Sequence, residues 1–312
     1  MDSQKIKGYL LAALAAATYG TNPVFAIPLY DDGMNANSVL LFRYLLSLPM
    51  LALMARMRGR SLKMPRKAIV PVCVLGVLMG MSSLSLFVSY DYMNAGVAST
   101  LLFVYPVMVA MLMILCFGER FKASTAVCLL LMSAGLVMMM RPDGDRSLSA
   151  VGCLAVGISS LTYAIYIVMT NVSAVVRGIP TLTLLFWEIF SGSLVFLFMI
   201  AVGTPLTMPA SLAQWGGVTA LALLPTAVSL TCTTMAIQSI GSTPTAILGA
   251  LEPVTAVVLS VIVLGQGLTP REMAGGLLIV AATTLVVAGN RVDSVLLRVR
   301  KMFPSIHRNH SK

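Results

Sequence analysis

Long apolar runs separated by short polar connectors dominate the chain. Most runs have the roughly 20 residues that a helix needs to cross the ~30 Å hydrocarbon core of a bilayer. The pattern predicts an all-α membrane protein with ten transmembrane helices. They are expected at residues 8–30, 36–56, 68–90, 95–117, 123–140, 149–171, 181–203, 212–237, 243–265 and 271–289, with the least distinct break at 238–242.

Composition supports a bilayer as the surrounding solvent. Of the 312 residues, 58% are hydrophobic and 10% are charged, whereas about 25% of the residues of a soluble protein are charged. The first apolar run exceeds the length of a signal-peptide core, so we keep it as a helix of the mature protein. The net charge of +10 does not come from a basic, aromatic-rich stretch, and no nucleic-acid partner is expected.

The placement of Lys and Arg predicts the orientation of the helices. If both termini are cytoplasmic, the connectors on the opposite side hold only Arg141, Arg146 and Arg271 of the 21 Lys and Arg residues. Arg43 lies within a span, and the remainder face the cytoplasm. This bias follows the positive-inside rule. We expect a multi-pass protein of a cell inner (plasma) membrane with both termini in the cytoplasm.

The chain contains a weak internal repeat. Thr18-Tyr19 matches Thr162-Tyr163 at an offset of 144 residues, and Pro106-Val107 matches Pro253-Val254 at an offset of 147. Five spans per copy is an odd number, so the second copy enters the membrane from the opposite side. The prediction is two inverted five-helix repeats, at residues 1–146 and 147–290, followed by a basic cytoplasmic tail at 291–312. Such repeats are typical of secondary transporters that bind solute near the membrane midplane.

Several motifs carry a family resemblance. Phe117-Gly118-Glu119-Arg120 closes the fourth span, Leu251-Glu252-Pro253 lies in the ninth, and the fourth and ninth spans share a proline. Together they resemble the EamA-type members of the drug/metabolite transporter superfamily over residues 8–289. Gly265-Gln266-Gly267 departs from the family's usual Gly-Glu pair, which argues against a carboxylate function at Gln266.

The resemblance implies export or exchange of small metabolites, such as amino acids or drug-like compounds, by secondary transport. It also implies that helices one, three, four, six, eight and nine line the path. On that basis the polar residues Thr231, Thr234 and Gln238 of the eighth span are candidates for solute contact.

Charged residues within spans need a reason, because each costs ~2.5–3.5 kcal/mol at a helix centre. Glu252 lies near the midplane and precedes Pro253, while Pro106 lies at the symmetric depth of the other half. A mid-helix proline frees a carbonyl one turn earlier, here those of Gly249 and Leu102. Either Glu252 and these carbonyls form a polar floor for solute, with Glu252 taking a proton or cation, or they are structural and the prolines kink the helices.

Arg43 and Glu188 occupy nearly matching places in the second and seventh spans. Inverted topology separates them in depth by ~10 Å, so no direct salt bridge is expected. We expect Arg43 to be a hydrogen-bond hub to carbonyls or to Asp91, and the alternative is contact with the substrate. Glu188, beside Trp187, is expected to line a cavity.

Phenols near mid-span need hydrogen-bond partners. Tyr19, Tyr105 and Tyr163 lie at such positions, and Asn22 follows Tyr19 by one turn, so we expect a cavity that stacks and hydrogen-bonds an organic solute. The substrate-binding candidates are Tyr19, Asn22, Tyr105, Tyr163, Trp187, Glu188, Thr234, Gln238 and Glu252, and the structural or gating candidates are Arg43, Pro106 and Pro253.

These features predict a secondary transporter that exports or exchanges a small organic metabolite by alternating access, with a proton as the candidate coupling ion. No phosphate-binding GxxxxGK[ST] loop is present. The five cysteines lie within apolar spans, away from both histidines, so no metal, cofactor or enzymatic activity is expected. The alternatives are an intramembrane lipid-modifying enzyme, which would need clustered His, Asp or Ser residues, and a non-transporting receptor or assembly component. Solute and oligomeric state are left open.

Overall fold

The computed structural model describes residues 3–90, 92, 98, 101–119, 123–139, 149–264 and 269–302. All regular structure in these ranges is helical. The helices are α1 (Ser3–Tyr19), α2 (Asn22–Asp31), α3 (Ala36–Met57), α4 (Ile69–Tyr90), α5 (Tyr105–Phe117), α6 (Ala123–Met139), α7 (Ala150–Val172), α8 (Ala174–Arg177), α9 (Thr181–Ala201), α10 (Leu212–Leu221), α11 (Ser229–Ile240), α12 (Ser242–Gly249), α13 (Leu251–Leu264) and α14 (Pro270–Met302).

Within the described residues, eight helices are long and apolar enough to cross a membrane. They are Ser3–Asp31, Ala36–Met57, Arg66–Ser89, Ala150–Val172, Thr181–Ala201, Leu212–Ile240, Ser242–Val263 and Pro270–Val287. Two further apolar helices, Tyr105–Phe117 and Ser124–Met138, are shorter. They fall in the predicted fourth and fifth spans, and parts of both predicted spans lie outside the described ranges. Asp91, Arg120 and the motif at 265–267 also lie outside them.

Within the described residues, three of the eight membrane-length helices are interrupted. The first breaks between α1 and α2, and the ninth breaks at Ala250, between α12 and α13. The eighth runs from α10 to α11 through a π-helical turn, Ala222–Val228, which contains Pro225. Broken helices and π turns place backbone carbonyls where side chains or solute can reach them.

Pro106 and Pro253, expected in mid-helix with either a freed carbonyl for solute or a kink as the consequence, lie at helix starts instead. Pro106 is in the first turn of α5, and Pro253 is the third residue of α13. Proline suits the first turn because its missing N–H would have no intrahelical partner there. The prolines therefore follow the chain breaks of the fourth and ninth spans.

Helix packing follows a reciprocal pattern. The third span (α4) packs along the sixth (α7), and the eighth (α11) packs along the first (α1). Likewise α5 packs against α7, while α12 and α13 pack against α1. The pairs α3–α9 and α6–α14 join corresponding spans directly. A contact between two spans is therefore matched by a second contact between the spans that lie five places away along the chain.

Glycines allow α4 and α9 to approach closely. A Cβ at Gly76 would collide with the Ser191 hydroxyl and the Glu188 carbonyl oxygen, and one at Gly192 would lie 2.9 Å from the Gly76 carbonyl oxygen. Small residues permit such backbone contact between membrane helices. The backbone of Glu188 is thereby held against α4.

Candidate functional site

The break in the first span packs against the start of α13. A Cβ at Gly20 would lie 2.8 Å from the carbonyl oxygen of Glu252, so only glycine permits this contact. Next to it, the Thr21 hydroxyl donates to the Thr18 carbonyl at 2.7 Å, which satisfies an acceptor left free where α1 ends. Tyr19 and Asn22 flank the break and face the helices that surround it.

Arg43 binds this break to the interrupted eighth span. Its Nε donates to the Thr226 hydroxyl at 2.5 Å, and its two NH groups donate to the Asn22 side-chain oxygen at 3.1 Å and the Pro225 carbonyl at 3.3 Å. The guanidinium also lies 5.5 Å from the centre of the Tyr19 ring, a cation–π distance. Of the three acceptors, the Pro225 oxygen is a backbone carbonyl, and Asp91, the other partner expected of Arg43, lies outside the described residues.

Pro225 explains why the eighth span offers these acceptors. Proline has no N–H, so it cannot bond the Leu221 carbonyl, which instead accepts from the Thr226 hydroxyl at 2.8 Å. The Ala222 carbonyl accepts from the Ser47 hydroxyl at 3.1 Å. Side chains of α3 therefore complete the hydrogen bonding of the π-helical turn.

A small cavity lies where the first, fourth, sixth, eighth and ninth spans meet. Its volume is about 30 Å³, which is room for one or two water molecules. The lining combines small apolar residues, hydroxyls, three phenols and one carboxyl group. These residues are Ala12, Ala15, Ala16, Tyr19, Tyr105, Tyr163, Ile167, Ser229, Thr233, Thr245, Ala246, Gly249 and Glu252; we call this the central cavity.

The phenols of the central cavity are fixed by neighbouring helices. The Tyr105 hydroxyl donates to the Ala246 carbonyl at 3.3 Å, so the fourth span reaches the broken ninth span. The Tyr105 and Tyr163 rings meet edge to face with centroids 4.8 Å apart. The Leu102 carbonyl, predicted to be free, accepts from the Ser160 hydroxyl at 3.1 Å.

Electrostatics link Arg43 to the central cavity. Arg43 attracts Glu252 across the site, with the Tyr19 ring in the same electrostatic cluster. The Arg43 side chain is 7% exposed, and the low dielectric around it strengthens this attraction relative to water. The Glu252 carboxyl group therefore lines the central cavity, and the Arg43 guanidinium lies behind Tyr19, another lining residue.

Glu188 and Trp187 lie outside the central cavity. Glu188 is 1% exposed, and its Oε2 accepts a hydrogen bond from the Tyr166 hydroxyl at 3.3 Å. Its Oε1 has no hydrogen-bond partner. The Trp187 indole donates to the Leu62 carbonyl at 2.9 Å, which anchors a connector.

A second, larger cavity of about 490 Å³ opens at one end of the helices. Arginines from two connectors line it, together with Gln238, whose side-chain oxygen accepts from the Thr181 hydroxyl at 3.4 Å. The lining residues are Arg58, Arg60, Arg177, Gly178, Ile179, Pro180, Thr181, Leu182, Thr231, Met235 and Gln238; we call this the basic vestibule. Thr234 lines neither cavity.

The structure brings together four of the predicted substrate-binding residues, Tyr19, Tyr105, Tyr163 and Glu252, and places Asn22 beside them through Arg43. Trp187, Glu188, Thr234 and Gln238 lie elsewhere. Four hydroxyls at or near the site were not predicted from the sequence, those of Ser229, Thr233, Thr245 and Thr226. Only Pro225, a proline inside an apolar span, signalled that this part of the eighth helix is unusual.

The EamA-like transporter family model matches residues 6–141 and 150–288, one copy in each half of the chain. No curated protein matches the chain. One solved crystal structure superposes with a TM-score of 0.78 at 16% sequence identity, over 91% of this chain and 98% of that chain. It shares the fold. Because the family model spans most of the sequence in two copies, the chain belongs to the EamA-like transporter family.

Proposed function

We propose that this chain is a secondary transporter that exports or exchanges a small organic metabolite by alternating access between two inverted five-helix halves, at residues 1–146 and 147–290. The observation that carries the proposal is the central cavity, which is lined by Tyr19, Tyr105, Tyr163 and Glu252 where spans of both halves meet. Secondary transporters with repeats bind solute at such a junction.

The packing pattern supports inverted halves. The proposed symmetry pairs each span with the span five places later, so it turns the α4–α7 contact into the α11–α1 contact. It leaves the α3–α9 and α6–α14 contacts unchanged, because each of these joins two paired spans. An exchange axis in the membrane plane gives two conformations in which the halves swap roles. The small volume of the central cavity then corresponds to a compact state between the outward-facing and inward-facing ones.

The basic vestibule supports cytoplasmic termini. Arg58 and Arg60 follow the second span, and Arg177 precedes the seventh, yet all three line one cavity. Both connectors therefore lie on one side, as the positive-inside rule requires.

The chemistry of the central cavity favours a solute with an amino group and an apolar or aromatic body. An ionised carboxyl group binds an ammonium group through charge-assisted hydrogen bonds, and Glu252 supplies the carboxyl group. Tyr105 and Tyr163 offer aromatic faces and edges for the body of the solute. Amino acids and cationic drug-like compounds share this chemistry.

The test is uptake by proteoliposomes that contain the purified full chain, with radiolabelled amino acids and cationic drugs as probes, with and without a pH gradient. We expect uptake of an amine-bearing solute that Glu252→Gln lowers by about tenfold or more, equivalent to ~1.4 kcal/mol of lost binding. Asp32→Asn is the matched control, because it removes an exposed carboxylate from a connector.

Two outcomes would contradict the proposal. If no probe moves under any gradient, the receptor and enzyme alternatives take precedence over transport. If Glu252→Gln and Asp32→Asn transport alike, the solute does not use the central cavity.

A further inference from the structure

The carboxyl group of Glu188 has no role in the central cavity, yet its surroundings are unusual. It lies in the middle of α9, 1% exposed, with one oxygen unpartnered and the other bonded only to a phenol. We propose that Glu188 is the site where a coupling proton binds and leaves during transport. This inference rests on the proposed transport function and names its coupling residue.

The helices around Glu188 present polar but uncharged groups. α7 presents Tyr166, the hydrogen-bond donor, and α3 presents the buried phenol of Tyr44. α11 presents the buried hydroxyl of Thr234, which lies beside the Tyr166 phenol, and α4 presents the backbone at Gly76. Among the described residues, none places a positive charge beside this carboxyl group.

These surroundings accommodate the neutral carboxyl better than the ion. Burying a carboxylate without a cation or several donors is very costly, and such groups take up a proton instead. One phenol is a weak substitute for a hydration shell. To ionise, Glu188 needs water or a rearrangement of α7 and α9, so its protonation is tied to the conformation of these helices.

α7 connects this group to the central cavity. Tyr163 lines the cavity, and Tyr166, one turn later, is the partner of Glu188. Their rings stack with centroids 5.9 Å apart and planes inclined by 12°. A solute that displaces Tyr163 therefore disturbs the donor that stabilises the Glu188 carboxylate, which couples solute and proton.

The basic vestibule supplies a short route to water. Leu182 on α9 lines it, and Glu188 lies six residues further along the same helix, ~9 Å deeper at 1.5 Å per residue. Thr231 and Met235 of α11 line the vestibule, and Thr234 lies between them in sequence. Separation of α9 from α11 at this point would hydrate the carboxyl group.

The first experiment measures the proton directly. Infrared spectra of the full chain in liposomes, titrated with pH, report the C=O stretch of a protonated carboxyl group. We expect a band that fades as the pH rises, is absent in Glu188→Gln, and persists in Glu252→Gln. A spectrum unchanged by Glu188→Gln would overturn the proposal, as would a Glu188 band that stays constant at every pH.

The second experiment measures coupling. In proteoliposomes, a radiolabelled amino-acid mixture is followed by exchange at equal pH and by uptake under a pH gradient. We expect Glu188→Gln to lower gradient-driven uptake about tenfold more than exchange, a difference of ~1.4 kcal/mol, and Glu188→Asp to restore part of it. Equal stimulation by the gradient in wild type and Glu188→Gln would refute the coupling role.

The two experiments separate the two proposals. If wild type moves no amino acid, the proposed function fails for this solute class, while the infrared titration still decides whether Glu188 binds a proton. If Glu188→Gln does not fold, Glu188→Asp retains a carboxyl group. Its band must then appear at a shifted position and still respond to pH, and a pH-independent band in that variant would contradict the proposal.

Discussion

Arg43 and Glu188 occupy nearly matching places in the second and seventh spans, but their surroundings differ. Arg43 donates to three acceptors on two other spans and lies over an aromatic ring. Glu188 has one neutral donor and one bare oxygen. A buried charge that donates all these hydrogen bonds, as Arg43 does, stabilises the packing of the helices it joins. A buried acid whose bonds are incomplete retains the freedom to change its protonation.

The largest effect is expected for Arg43→Met. This variant removes three charge-assisted hydrogen bonds between α3, the break at Asn22 and the π-helical turn, so the free energy of unfolding should fall by about 3 kcal/mol. Thermal unfolding of purified protein in detergent measures the change. Arg58→Met, at an exposed position, is the control. Similar losses of unfolding free energy in both variants would mean that the hydrogen bonds of Arg43 do not stabilise the packing of the helices.

An intermediate effect is expected for Gly76→Val, which tests whether the Glu188 pocket depends on the close approach of α4 and α9. The new side chain meets Ser191 and the Glu188 backbone, and overpacking of this kind costs about 2 kcal/mol. Gly157→Val is the matched control, because a Cβ at Gly157 on α7 meets nothing within 4 Å. The same unfolding assay applies, and equal melting temperatures for the two variants would show that the contact is loose.

The smallest effect is expected for Glu188→Gln. The amide keeps the shape of the neutral carboxyl and can accept the Tyr166 hydrogen bond, so stability should change by less than about 1 kcal/mol. In the same unfolding assay this variant should resemble wild type, unlike Arg43→Met. A loss of unfolding free energy as large as that of Arg43→Met would mean that Glu188 also stabilises helix packing, and the contrast between the two residues would disappear.

Hydrophobic pattern alone located the helices well. The predicted spans 36–56 and 181–203 agree with Ala36–Met57 and Thr181–Ala201, and the indistinct break at 238–242 is present at Gly241, where φ is +89°. The break after Tyr19 was not predicted. Hydrophobicity reports the solvent around a segment, and it continues unchanged through Gly20. Whether the helix stays continuous depends on contact with α13, which the apolar pattern does not encode.

The convergence of Tyr19, Tyr105, Tyr163 and Glu252 could be anticipated, since buried phenols and carboxyls must find partners and these lay at similar depth. The position of Glu188 outside the central cavity could not be anticipated from the sequence. Adjacent helical residues point about 100° apart, so Trp187 and Glu188 face different neighbours. Which face meets a cavity depends on the rotation of α9 against α3 and α4. That rotation follows from glycine contacts between distant parts of the chain.

The size of the central cavity has a mechanical consequence. At about 30 Å³ it is roughly a tenth of the smallest pocket that holds a drug-sized ligand. Solute binding must therefore increase the volume of the protein interior. Hydrostatic pressure favours states with less internal void. Compression should therefore oppose the expanded state that accepts solute, and turnover should slow under pressures too low to unfold the helices.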